Sequence, residues 1–470
     1  MTGLITLAVS AGEIDRAAIE SRIAEQRAAR GWPGIAVGIV HADKLVFAQG
    51  FGMADVAASR PVTPETPFPI CSITKVFTTT LLAQLRDDGV LQLDDPLTRH
   101  LPDVKPPSDP RGAPAITLRH LATHTSGLPS LPANFVPEGG SAQGDPYDRF
   151  PAERLRSGVA ETRLAAPVGA GFAYSNFGMA LLGAALEGAS QRSYDELLRT
   201  RLLEPLGMSQ TLLFAEGERP AAMAIGYRAD SAEAPAPDWR LGAFAPAGAI
   251  VSNVNDLAKF VALQLRSGEP DVQPVRGGTL LELHTPQRLT DGWSGAVALG
   301  WMVRNTPDVG DVVWHNGGME GFSTFLAFSR KSKVGVIVLA NRGGGVEELG
   351  DWLLKQAAGA YPPPETPIDP AVRSAAEKVC TFIVAQPGDE LANLFDPEFL
   401  AQIPLPRLKL VLSGLHSEYG DGAQVASAKP LPEPGAAEFV VRFTDGRALT
   451  CVLGLTSANP PKIQMIYFRP

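Results

Sequence analysis

Cysteine is scarce in this 470-residue chain, where Cys71, Cys380 and Cys451 are the full set. Three cysteines imply no disulfide framework, and without a Cys-x-x-Cys pair there is no metal knuckle. Basic clusters are missing too: the formal net charge is -9, which argues against a nucleic-acid partner. No apolar run approaches the roughly 18 residues of a membrane helix. Gly-x-Ser-x-Gly, the mark of an α/β-hydrolase elbow, does not occur, and no Gly-x-Gly-x-x-Gly follows a strand to cradle a nucleotide. What remains, 45% apolar and 19% charged residues, is the composition of an ordinary globular protein. The length favours one large domain and a smaller one.

Periodicity organises the chain. IDRAAIESRIAEQRAA, from Ile14 to Ala29, carries apolar residues at helical spacing, and GIAVGIVHADKLVFAQGFG reads as two strands around the polar turn Ala42-Asp43-Lys44. Far downstream, DVVWHNG, FSTFLAFSR and KVGVIVLAN are strand-like, and GVEELGDWLLKQAAGA follows as an amphipathic helix. The simplest closure joins the terminal strands in one antiparallel sheet flanked by the terminal helices, with a helical middle packed against it. YPPPETPIDP (361–370) cannot continue a helix and reads as a stiff linker. Beyond it, two helical segments followed by strands form a small α+β domain, so the expected boundaries are 12–360, 361–370 and 371–470. The opening MTGLITLAVSAGE ends in Val9-x-Ala11, as signal-peptidase sites do, but has no basic n-region. The plain N-terminus, with a cytoplasmic location, is favoured over a clipped signal.

The chemistry begins at CSITKVFTTTLLAQLRDDG, where Ser72 and Lys75 stand three apart at the start of a helix and project from one face. A serine hydroxyl needs a base, and a lysine serves when desolvation lowers its pKa. Ile70, Ile73, Val76 and Phe77 supply such surroundings. By itself the pair is equally an N-cap serine and a solvated lysine. Two further stretches give it company. GFAYSNFG presents Tyr174 and Asn176 on a turn, and VWHNGGMEGFS ends a strand in His315-Asn316-Gly317-Gly318.

Together these stretches resemble the Ser-x-x-Lys, Tyr-x-Asn and Lys/His-x-Gly motifs of the serine β-lactamase and penicillin-binding-protein superfamily. The branch is that of class C β-lactamases, D-alanyl-D-alanine carboxypeptidases and β-lactamase-like esterases. ITLRHLATHTSGLPSL, LLEPLGMSQT, PAGAIVSNVNDLAKF and ALGWMV extend the likeness over roughly Ile14 to Ala360. The resemblance implies an α+β fold with an antiparallel sheet, flanking helices and a helical subdomain, followed here by the small α+β domain. It makes Ser72 the acylated nucleophile, Lys75 its activator, and Tyr174 the general base or acid with a lowered pKa. Asn176 would orient Lys75 and the substrate. His315, Asn316 and Gly317 would line the substrate, and the N–H groups of Ser72 and Gly318 would form the oxyanion hole. No cofactor or metal is implied.

Asn316 departs from the usual Thr or Ser of the third motif, and a neutral His315 carries less positive charge than lysine, so recognition of a substrate carboxylate is weakened. Neither a Ser-Asp-Asn turn nor the glutamate loop of class A enzymes is found. His120 and His124, four apart without the glutamate of a zinc motif, read as structural. Two function classes stay open: a hydrolase of small esters, amides or D-peptides, including β-lactams, and a penicillin or peptide sensor without turnover. LPANFVPEGGSAQGDPYDRF (131–150) is expected to hang over the site and set specificity. The small domain loosely resembles the cone-shaped domains of the ketosteroid-isomerase-like superfamily, and no chemistry is assigned to it.

Overall fold

The computed structural model describes residues 13–105, 107, 115–135, 145–147, 150–215, 217–230, 234–270, 272–290, 295–362, 368–385, 388–431, 433 and 435–469. The cleavage-site reading at the N-terminus, half of the proline linker and most of 131–150 therefore lie outside the described residues.

The chain divides into two compact units, Met1–Pro363 and Pro364–Pro470. In the first, nine strands form a sheet in the order Arg60–Pro61, Lys44–Asp55, Gly34–His41, Val334–Ala340, Phe322–Ser329, Gly310–Met319, Met302–Thr306, Ala296–Val297 and Arg288–Leu289. Its centre is the expected closure. Gly34–His41 runs antiparallel to Val334–Ala340, pairing Ile35 with Ala340 and His41 with Val334. The central strands are apolar at almost every position because both faces are covered. One face, with Ile35, Val37, Phe325 and Val338, packs on helices Arg16–Arg30 and Val346–Ala360. The other, with Ala36, Val40, Leu326 and Leu339, joins the core built around helices Thr74–Asp87, Asn176–Ser190 and Val254–Leu265.

Helix Thr74–Asp87 is the central pillar of this second layer, buried at every position from Thr74 to Leu85. Four of those residues are threonines, whose hydroxyls need partners in a dry interior. Thr78 donates to the Pro246 carbonyl at 2.7 Å and its Oγ1 lies 2.6 Å from the Tyr194 hydroxyl. Thr80 donates to Val76 O at 2.6 Å, and Thr74 accepts from the Ile250 N–H at 3.1 Å. Of these, the Thr78 bond holds the helix against the short Ala245–Gly248 turn.

In the second unit, helices Pro370–Val384, Pro397–Gln402 and Leu405–Tyr419 precede an antiparallel sheet of Gln424–Pro430, Ala436–Arg442, Ala448–Leu455 and Ile463–Arg469 in sequential order. Helices first and strands after is the expected α+β order. The strand Gln424–Pro430 is an addition, polar and half-exposed along its length. Among the described residues no helix is long and apolar enough to cross a membrane.

Candidate active site

Ser72 sits in a single 3-10 turn, Cys71–Ile73, that leads into helix Thr74–Asp87. One helical turn on, Lys75 is fully buried and donates from Nζ to Ser72 Oγ at 2.9 Å and to the Ala247 carbonyl at 2.7 Å. Burial pulls the lysine pKa down to about 7, because the charged form loses its hydration and gains no carboxylate in return. Asn176, expected to orient Lys75, does not bond it among the described hydrogen bonds. That place is taken by the Ala247 backbone oxygen. Gly183 on helix Asn176–Ser190 allows it: a Cβ there would stand 2.2 Å from the Pro246 ring, so only glycine lets the Ala245–Gly248 turn approach.

Strand Gly310–Met319 closes the other side. Gly317 is required, since a Cβ would meet Thr324 Oγ1 at 2.3 Å and the Ile70 carbonyl at 2.5 Å. Thr324, paired with Gly317 on the neighbouring strand Phe322–Ser329, donates to that same carbonyl at 2.9 Å and ties that strand to the turn that bears Ser72. Gly318 is exposed and lines one cleft with Ser72, Asn176, Ala247 and Gly248. The placement suits two N–H donors converging on one carbonyl oxygen.

Tyr174 precedes helix Asn176–Ser190, whose N-cap Ser175 accepts from the Gly178 N–H at 2.8 Å and donates to Pro129 O at 2.7 Å. Its ring lies 5.0 Å from Lys75 Nζ. The expectation of a lowered phenol pKa is not met. Crowding of the hydroxyl pushes it up, while the interaction with the Ser72 hydroxyl pulls weakly the other way. The ring retains 37% of its surface exposed, and this access to water tempers the upward push. Lys75, with its pKa near neutrality, is the better-poised proton acceptor of the two.

His315 is 1% exposed, so its side chain packs in the interior beside Tyr174, with ring centroids 6.3 Å apart. Its Nδ1 lies 2.6 Å from the Asn316 carbonyl and must be the protonated nitrogen, because a carbonyl only accepts. Burial and the Lys75 charge pull its pKa to about 3, which keeps it neutral. Asn316 faces away from it, as strand alternation requires, and donates from Nδ2 to Glu347 Oε1 at 2.7 Å.

One site residue escaped sequence reading. His124, taken as structural, is buried against the Tyr174 ring at 4.5 Å between centroids. Its Nδ1 accepts from the Ser175 N–H at 3.1 Å and its carbonyl accepts from the Ala173 N–H at 2.8 Å, bracketing Tyr174 on both sides. His124, Cys71 and Leu241 all hold left-handed backbone with φ of 54°, 52° and 67°. Cys71 and Leu241 line the cleft. Such backbone is costly for a residue with a side chain and collects where a site has to be shaped. Among the described residues no cluster of three or more His, Cys, Asp or Glu could hold a metal ion.

A family model described as Beta-lactamase matches residues 19–360. Penicillin-binding protein 4* of Bacillus subtilis is 28% identical over 349 residues, covering 69% of this chain and 72% of its own length. Protein flp of Staphylococcus aureus is 26% identical over 315 residues, or 66% of this chain, and the match spans 59% of its length. Among solved structures, a β-lactamase/D-alanine carboxypeptidase from Yersinia pestis aligns with 26% identity and a TM-score of 0.60, covering 74% of this chain and 99% of its own. An octameric penicillin-binding protein homologue from Pyrococcus abyssi, 24% identical, aligns with a TM-score of 0.65 over 94% of this chain and 97% of its own. That likeness of fold extends into the C-terminal unit.

Proposed function

The chain belongs to the β-lactamase family, and from that membership we propose a serine hydrolase that works through a covalent acyl-enzyme on Ser72. The observation that carries the reading is the buried Lys75 amine, 2.9 Å from Ser72 Oγ and with a pKa of about 7. In its neutral form the same contact runs with the serine hydroxyl as donor. Ser72 Oγ then attacks the acyl carbon while its proton passes to Lys75 Nζ. The N–H groups of Ser72 and Gly318 receive the oxyanion, a role for which one donor contributes on the order of 10²–10³ in rate. The leaving alcohol takes its proton from Lys75, relayed by the Tyr174 hydroxyl, which stays protonated and so can both donate and accept. Water attacks the acyl-enzyme by the reverse transfers and releases the acid. His124 and the neutral His315 hold the Tyr174 ring.

Esters are favoured over D-peptides and β-lactams. The Asn316 amide is engaged by Glu347 and His315 is neutral and buried, so neither offers positive charge to a substrate carboxylate. Turnover of a short-chain p-nitrophenyl ester tests the reading. Steady release of nitrophenol well above the stoichiometry of enzyme is expected. A single stoichiometric burst would identify a sensor instead, and no release with no label on Ser72 would end the hydrolase reading.

A further inference from the structure

Aromatic and aliphatic side chains alternate with polar surface around the cleft in front of Ser72. Tyr147, Trp239, Leu241, Phe244 and Met319 line it, and Ser72 and Asn176 are its principal polar side chains. Tyr147 packs on Phe244 and Trp239 at 4.9 and 5.8 Å between centroids. Asp145 ties the two halves of the wall together, accepting from the N–H groups of Tyr147 at 2.8 Å and Leu241 at 3.0 Å. Phe244 and Leu241 are themselves buried. A rigid apolar wall favours an apolar occupant, since the ordering cost of the protein side is already met.

Charge points the same way. No Lys, Arg or His is among the residues lining the cleft. From His315 to Met319 the strand pairs, among the described residues, with Phe322–Ser329 alone, which leaves its other edge open beside Gly318. Two residues before Gly318, roughly 7 Å along a strand, the Asn316 amide holds the half-buried Glu347 carboxylate. Strand alternation turns that pair toward the face covered by helix Val346–Ala360, so it offers the cleft neither a free donor nor a cation.

We propose that the acyl group transferred to Ser72 is uncharged and apolar, aromatic or branched aliphatic. The acyl side is chosen because it stays bonded to Ser72 through both half-reactions, whereas the alcohol departs after the first. The proposal rests on the hydrolase reading above.

The test is a series of p-nitrophenyl esters with a common leaving group: acetate, butyrate, phenylacetate, hydrogen glutarate and methyl glutarate. A buried methylene contributes about fourfold, so kcat/KM for butyrate is expected on the order of tenfold above acetate, with phenylacetate higher still. Methyl glutarate should exceed hydrogen glutarate by at least tenfold. Trp239→Ala and, separately, Met319→Ala should lower the phenylacetate-to-acetate ratio several-fold. Each ratio is taken within one preparation and does not depend on its folded fraction. A flat series, or a hydrogen glutarate preferred over its methyl ester, would overturn the proposal while leaving a working hydrolase. Failure of every ester to react would instead overturn the hydrolase reading.

Discussion

The two units of this chain bury different things. The N-terminal unit encloses polar groups in number: Lys75, His124, His315, His284, the threonines of helix Thr74–Asp87 and Asn341 are all within 2% of complete burial. The C-terminal unit is built around Val379, Ile383, Leu412, Phe439, Leu453 and similar side chains. Its ion pairs, Lys409 with Asp389 at 2.8 Å and Arg447 with Asp445 at 2.6 Å, stand at the surface, where such pairs contribute little. The thiols of Cys380 and Cys451 are pushed up to about 11 and about 12 by burial and remain neutral. A folded chain keeps costly buried polar groups where they have work to do. The contrast is the ground on which we propose the chemistry for the first unit and none for the second.

The largest effect that would uphold this division is at Ser72. Ser72→Ala should lower ester turnover by on the order of 10⁴-fold or more, leaving the residue of activity that binding and oxyanion donors supply. Retention of more than a few per cent in clean protein would remove Ser72 from its role. Lys75→Met, which keeps the stem and removes the base, should cost within the 10²–10⁴ range of positioned proton transfer. Tyr174→Phe should cost about a hundredfold, and an undiminished rate would show the phenol to be outside the proton path.

The pH profile sharpens the assignment of the base. Because burial lowers the Lys75 pKa to about 7, the amine is protonated and inactive below that pH and neutral above it. On this account kcat/KM rises as pH is raised through about 7 and levels off beyond. A rise centred near 10, or activity unchanged from pH 5.5 to 8.5, would take the base role from Lys75. The smallest effect is expected from removing 364–470. With folding verified by circular dichroism, acylation of Ser72 should stay within a few-fold of the full chain, and stability or substrate range should change instead. A folded truncation that no small ester acylates would break the comparison.

Much of this architecture is legible in the sequence because long elements carry their own periodicity. GIAVGIVHADKLVFAQGFG folds as the paired strands Gly34–His41 and Lys44–Asp55, and GVEELGDWLLKQAAGA as helix Val346–Ala360. The two- and three-residue strands at Arg60–Pro61, Phe68–Pro69 and Ile250–Ser252 are too short to show a period. In the site, Ser72 and Lys75 are legible through helical spacing, whereas Gly317, expected to line the substrate, is instead packed against Thr324 and Ile70 and leaves the cleft lining to Gly318. Ala247 is not legible, since its contribution is a backbone oxygen with no side-chain signal. His124 differs from a core histidine only in its contact with Tyr174, which is tertiary. Tyr147 and the Trp239–Phe244 stretch come from distant parts of the chain and share no motif, so the aromatic wall emerges only when the chain is folded.

The central claim, that this is an acyl-transferring site on Ser72, is tested most directly by mass. Protein exposed briefly to a slowly hydrolysed ester or a β-lactam, quenched and analysed intact, should gain one acyl group. Peptide mapping should then locate it on the peptide containing Ser72, with no adduct on Ser72→Ala. An adduct on any other residue, or one that forms equally on the Ser72→Ala protein, would contradict the account.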